Sequence, residues 1–316
     1  MSLQAENLTV YYQTLHGDAR ALEDATFSVA DGEIMGLAGE SGCGKSTLAN
    51  SLIILKPPMK HVGGRVLLDG EELPIADMEE MDSFRFDRIS IVPQYAMNAM
   101  NPTRKIGKMT ADLMRTRQVS YQEMLPELHR RLDLVNLSHE VLDLYPIELS
   151  GGMKQRMVMV LSTLLNPSML LADEITSALD VSSQKAVAEM LVGFRDWEFV
   201  KSIIVITHDI SILYQIADSI LVMYAGQLVE KASTKTIINS PRHPYTRLLI
   251  SSLPKVGVKF AEQRLAGIPG NPPLLLNPPE GCRFRDRCPV AFEKCHEVPP
   301  FLPVELGHSV ACWKEV

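Results

Sequence analysis

A chain of 316 residues, 46% hydrophobic and 22% charged, can bury a large core, and its mean hydropathy of +0.04 excludes both a disordered tail and a bundle of membrane spans. Its net charge of −7, without a dense lysine or arginine run, argues against gripping a nucleic-acid backbone as its main task. No stretch approaches the ~20 apolar residues a bilayer span needs. The opening MSLQAENLTV also lacks the basic and apolar regions of a signal peptide, so the expected place is the cytoplasm, with membrane contact only through partners.

In chain order, residues 1–236 read as α/β, strands alternating with helical segments. Glu33 to Ala38 predicts an apolar strand, followed by a glycine-rich turn and a helix from Lys45. The turn, Gly39-Glu40-Ser41-Gly42-Cys43-Gly44-Lys45-Ser46-Thr47, fits G-x-x-x-x-G-K-[ST] in the strand-to-helix setting this pattern needs. Its glycines let backbone N–H groups wrap a phosphate, Lys45 is expected to reach the β- and γ-phosphates of a nucleotide, and Ser46 to ligate Mg²⁺. Gly39, Ser41, Gly42, Gly44 and Thr47 complete the expected cradle. One such loop marks a nucleoside triphosphatase without saying which kind.

Ile89–Val92 predicts a short strand, and residues 97–160 shift to helical spacing rich in charge, a helical insertion into the sheet domain. Lys154–Leu165 reads as a helix and Met169–Ala172 as a buried strand ending in two carboxylates, Asp173 and Glu174. Acids at such a strand end meet a cation or water: Asp173 is assigned to Mg²⁺ and Glu174 to the general base that activates the attacking water. Taken alone, the pair could be a solvated strand end; beside a phosphate loop the catalytic reading is preferred. Ser202–Thr207 gives a further strand.

Leu149-Ser150-Gly151-Gly152-Met153-Lys154-Gln155-Arg156 resembles the signature motif of ABC ATPases. As a bare object it is a helix start with exposed N–H groups and a capping hydroxyl, and by itself it would be no more than a cap. The rest of the family pattern follows in order. Gln94 matches the Q-loop that senses Mg²⁺ and water, Ser177-Ala178-Leu179-Asp180 the D-loop, and His208 the switch histidine. Tyr12 falls where the family stacks an aromatic ring on adenine, with Tyr11 as the neighbouring alternative. Ile175 departs from the family's usual proline after the glutamate, which loosens a turn without removing a catalytic group.

The resemblance implies a P-loop ABC ATPase fold with an antiparallel N-terminal portion, and a closed dimer. In that dimer Ser150, Gly151 and Gly152 of one subunit cap ATP held on the other. It also implies a second ABC ATPase subunit (a paralogous chain), two transmembrane permease subunits and an extracytoplasmic substrate-binding protein, with this chain at the cytoplasmic face of the membrane.

Past residue 236 proline density rises sharply, so residues 237–316 are expected to form a Pro/Cys-rich extension. The stretch Pro241 to Leu249, with Asn98 to Pro102, resembles oligopeptide and dipeptide transporter ATPases. The implied cargo is peptide-like, with oligosaccharide or nickel as alternatives. Cys282, Cys288, Cys295 and Cys312 are spaced C-x5-C-x6-C-x16-C, wider than the two-to-four-residue gaps of paired zinc ligands. Resemblance to subfamily members with this pattern implies a four-iron four-sulfur (4Fe–4S) cluster on these cysteines. Zn²⁺ ranks second, with His296 and His308 as further ligand candidates, and free thiols rank last. The metal would be structural, without a part in the ATPase chemistry.

Overall fold

A computed structural model of the chain describes residues 1–94, 96–176, 180–253 and 267–316. β1 (Leu3–Thr14) and β2 (Gly17–Val29) form a long hairpin. β3 (Ile34–Ala38) runs into the glycine loop and α1 (Lys45–Ser51), after which β4 (Met59–Leu68) and β5 (Glu71–Glu72) return to the hairpin. These make a four-stranded antiparallel sheet in the order β2-β1-β4-β5, the antiparallel N-terminal portion expected.

The main sheet carries the chemistry. Its parallel part contains β3, β6 (Ile89–Val92), β7 (Met169–Asp173), β8 (Ser202–Ile206) and β9 (Ser219–Tyr224). Every residue of β3, β7 and β8 is buried, as strands covered on both faces must be. Successive side chains enter opposite cores. Leu170 and Ala172 face the core shared with the helical region, while Met169 and Leu171 face the core under the antiparallel sheet.

The helical region is built from α2 (Ile106–Thr116), α3 (Tyr121–Leu134) and α4 (Gly151–Thr163). Arg131 on α3 is fully buried yet satisfied. Its guanidinium pairs with Glu127, bonds the Thr163 carbonyl and Asn166, and lies 4.0 Å from the centre of the Phe199 ring. That knot fixes the far end of α4 to α3. α5 (Val181–Asp196) and α6 (Ile210–Ile216) flank the parallel strands.

The C-terminal stretch does not stand apart as the small Cys-rich module expected. After β10 (Gln227–Ser233), α7 (Thr234–Asn239) and α8 (Pro244–Ser251), the chain returns as β11 (Leu302–Glu305) and β12 (His308–Val310). These two strands extend the main sheet, whose order is β11-β12-β10-β9-β3-β8-β7-β6. The buried Glu230 of β10 accepts from the backbone N–H groups of Arg242 and His243 and pairs with His308 at 2.8 Å, joining β10, the start of α8 and β12. Burial lowers the His243 pKa to about 3, so this imidazole stays neutral in the core.

Phe284 is 1% exposed and packs its ring 5.1 Å from Tyr224 and 5.4 Å from Tyr245. The tail thus shares one core with the sheet. Phe284→Leu is expected to cost about 1–2 kcal/mol, through lost ring contacts and imperfect refilling. Urea unfolding of the full chain should show a single transition moved to lower denaturant. A tail that folded separately would instead give two transitions.

Candidate nucleotide site

The parallel strands β3, β6, β7 and β8 end on one edge of the sheet, where open α/β sheets bind ligands. The glycine loop lies directly after β3. Gly39 and Gly44 sit at φ +150° and +110°, and a Cβ on either would lie 2.3 Å from the Met223 carbonyl oxygen or 2.2 Å from that of Ala21. Only glycine fits both the backbone angle and the space. Lys45 is 5% exposed, and its Nζ donates to the Gly39 and Glu40 carbonyls at 2.8 and 2.9 Å. The loop thereby surrounds its own cation, poised for an anion.

Ser46 Oγ donates to Asp173 Oδ1 at 3.4 Å, bringing a hydroxyl and a carboxylate from two elements together. Asp173 is buried, and burial first, then the charge of neighbouring Glu174, push its pKa above the ordinary carboxylate range. A buried acid carrying that penalty beside a hydroxyl suits a hard cation, so these two oxygens fit Mg²⁺ completed by phosphate and water.

Gln94, Glu174 and His208 follow three neighbouring strands and converge. Gln94 Nε2 donates to Glu174 Oε2 at 3.0 Å, and His208 Nδ1 lies 3.8 Å from Glu174 Oε1. Glu174 takes a left-handed backbone, φ 47°, which a non-glycine side chain rarely adopts. Its N–H is held by the Ile206 carbonyl at 2.8 Å, and the carbonyl of Ile175 accepts from Gln155 on the second turn of α4. The position without proline is therefore tied by a hydrogen bond and by the burial of Ile175, at 6% exposure.

Tyr12 OH lies 3.3 Å from Thr47 Oγ1 just past the loop, whereas Tyr11 donates to Glu23 at 2.8 Å. Tyr12 is the tyrosine bonded to the loop's far end. Ser150 caps α4, accepting from the Met153 N–H at 3.3 Å, and Ser150, Gly151 and Gly152 are exposed. Asp180 caps α5, accepting from Ser183 N–H and Oγ at 3.1 and 2.7 Å. Ser177, Ala178 and Leu179 of the expected D-loop lie outside the described residues.

The cysteine assignment is corrected. Cys282, Cys288, Cys295 and Cys312 are free thiols lining one pocket of ≈ 20 Å³ with Phe284, Phe292 and Trp313. That is room for about one water-sized sphere. Among the described residues no group of three or more histidine, cysteine or acidic side chains is gathered to hold a metal ion. The 4Fe–4S cluster, and the iron–sulfur character with it, is thus overturned, and the zinc alternative loses the same ground. His308 is committed to Glu230, and His296 lies 3.0 Å from Arg285. Burial raises the pKa of Cys282 to about 11 and moves Cys288 and Cys312 in the same direction, as for thiols used in packing.

The sequence reading missed three residues at the loop: Glu40, Tyr245 and Arg287. Tyr245 stood inside the motif that suggested the transporter subfamily, yet nothing in its spacing pointed toward the phosphate loop.

Among known proteins, residues 22–177 match the family described as ABC transporter, and residues 229–295 match the family described as oligopeptide/dipeptide transporter, C-terminal region. The chain is 37% identical to the oligopeptide transport ATP-binding protein OppD of Salmonella typhimurium, over 99% of this chain and 94% of that protein. It is 37% identical to the dipeptide transport ATP-binding protein DppD of Caldanaerobacter subterraneus, over 98% of this chain and 96% of that one. Among solved structures, the dimeric bacterial ABC transporter cassette MJ0796 superposes with a TM-score of 0.64 at 25% identity, over 73% of this chain and 98% of its own. The same cassette in a post-hydrolysis state bound to ADP and Pi gives a TM-score of 0.62 over the same shares.

Proposed function

Because the chain belongs to the ABC transporter ATP-binding family, in its oligopeptide/dipeptide branch, we propose that it is the ATP-hydrolysing subunit that powers import of peptides. The observation that carries this reading is the convergence of Gln94, Glu174 and His208 at one sheet edge with the Lys45 loop and Asp173.

On ATP binding, Lys45 exchanges the carbonyls of Gly39 and Glu40 for phosphate oxygens, and the N–H groups of Gly39 to Thr47 line the triphosphate. Tyr12 stacks on the adenine. Ser46 and Asp173 would hold magnesium, which would neutralise charge on the transferring phosphoryl group. Glu174 orients and deprotonates the attacking water, Gln94 fixes that carboxylate through its amide, and His208 supports the γ-phosphate side.

Ser150, Gly151 and Gly152 face outward and complete the ATP site of a second ABC ATPase subunit, with Asp180 near the same junction. That second subunit is a paralogous chain by resemblance. Among the described residues no helix is long and apolar enough to cross a membrane. From its oligopeptide/dipeptide relatives, two transmembrane permease subunits supply the pathway, this chain sits on their cytoplasmic face, and an extracytoplasmic binding protein delivers the peptide.

Ser150→Asp tests the shared site. Aspartate still caps α4, so thermal stability should hold. An anion facing the partner's triphosphate should slow hydrolysis in the assembled transporter at least about tenfold, with ATP affinity of the isolated chain unchanged. Wild-type turnover would remove the signature from the site.

A further inference from the structure

The C-terminal segment reaches the nucleotide loop through side chains the mechanism above does not use. Arg287 follows Phe284 by three residues, and its side chain is 6% exposed. It holds Glu40 with both ends of its fork, Nη1 to Oε2 at 2.7 Å and Nη2 to Oε1 at 3.0 Å. Its three remaining donors are also committed, Nε to the Pro269 carbonyl at 2.7 Å, Nη1 to the Tyr224 hydroxyl at 3.2 Å and Nη2 to the Ile268 carbonyl at 3.3 Å. Glu40 is gripped a second time, its backbone N–H donating at 2.8 Å to the hydroxyl of Tyr245, a ring fully buried at the start of α8. The carbonyl of the same residue accepts from Lys45. A chain of direct contacts thus runs from the C-terminal segment through one loop residue to the lysine that meets the phosphates.

We propose that Arg287 and Tyr245 are positioning residues that clamp the phosphate loop through Glu40, so that the C-terminal segment sets the affinity for ATP. The physical case has two parts. A loop wrapped tightly enough to bind phosphate with its backbone loses conformational freedom, and a clamp built into the fold removes that cost from the binding step. Glu40 also puts a carboxylate on the loop that wraps a polyanion, and the guanidinium neutralises it through a partly buried, bidentate pair. Arg287 is suited to this because its planar fork matches both carboxylate oxygens, which a lysine would not.

This inference rests on the assignment of Gly39 to Thr47 as the nucleotide cradle, and the test separates the two. Binding of a fluorescent ATP analogue with Mg²⁺ is measured on the full chain for wild type, Lys45→Ala, Arg287→Ala, Arg287→Lys, Glu40→Gln and the Glu40→Gln/Arg287→Ala pair, with melting temperatures alongside. Arg287→Ala is expected to weaken binding about tenfold and Arg287→Lys about threefold, the lysine keeping the charge and losing the fork. The double variant should bind better than Arg287→Ala alone, because the unpaired carboxylate is gone. Should Arg287→Ala fail to fold, Arg287→Lys and the double variant decide the matter. Wild-type affinity in every Arg287 variant that folds, whatever the change in melting, reduces the contact to fold stability and overturns the clamp. Undiminished binding by Lys45→Ala would instead overturn the cradle itself.

Discussion

Replacing Glu174 with glutamine is expected to leave ATP binding within about twofold of wild type while slowing hydrolysis by about two to three orders of magnitude, the usual worth of a positioned general base. The substitution keeps the shape and length of the side chain, and the amide oxygen can still accept the Gln94 amide now found 3.0 Å from Oε2. What disappears is basicity at the one carboxylate placed between Gln94 and His208. The left-handed backbone of Glu174 strengthens the expectation, since a strained φ of 47° persists only where its surroundings enforce it. Those surroundings are the Ile206 carbonyl on its N–H and the Gln155 bond to the next residue, and neither depends on the carboxylate. The check is a pair of measurements on one preparation, analogue binding and phosphate release in the assembled transporter. Turnover at the wild-type rate would take the base role from Glu174.

The parts of the site legible in the sequence are those where local chemistry and function coincide. A phosphate cradle needs glycine at positive φ followed by a lysine, so Gly39 to Thr47 announces itself in one dimension. The strand-end acids, Asp173 and Glu174, are visible for a related reason: two carboxylates after an apolar run are costly unless something meets them. β3, β7 and β8 were legible as apolar runs because strands buried on both faces do not alternate. What the sequence hid is contact across long separation. Arg287 and Glu40 are 247 residues apart, and an arginine in a proline-rich segment carries no sign of its partner. The cysteines misled for the opposite reason. Four thiols clustered in sequence suggest a ligand set, whereas the fold uses them to line a pocket of ≈ 20 Å³ around Phe284. β11 and β12 were equally hidden, because β11 pairs only with β12, and the short pairing of β12 with β10 is accompanied by Glu230 and His308 meeting in the core.

Asp173→Asn should separate stability from function at the metal position. Burial and the neighbouring Glu174 charge raise the Asp173 pKa above its ordinary value, so the ionised carboxylate is disfavoured in the folded protein relative to the unfolded chain. A group with a raised acid pKa contributes its full share of stability only below the unfolded value near 4, and that share fades as pH rises through the folded value. Ionising Asp173 in the nucleotide-free protein therefore works against the fold. The asparagine variant, isosteric and neutral, should be more stable at neutral pH by about 1 kcal/mol, with the advantage vanishing as pH falls below about 4. Function should move the other way. Without a carboxylate beside Ser46, Mg²⁺ loses its only charged protein oxygen in the proposed set, and hydrolysis is expected to fall by about two orders of magnitude or more. The extra thermal stability that MgATP gives the wild type, which scales with the logarithm of ligand over dissociation constant, should shrink in the variant. Thermal melts with and without MgATP at two pH values read both effects at once. A variant less stable than wild type at neutral pH without nucleotide, or equally stabilised by MgATP, would show that the carboxylate serves the fold and not the cation.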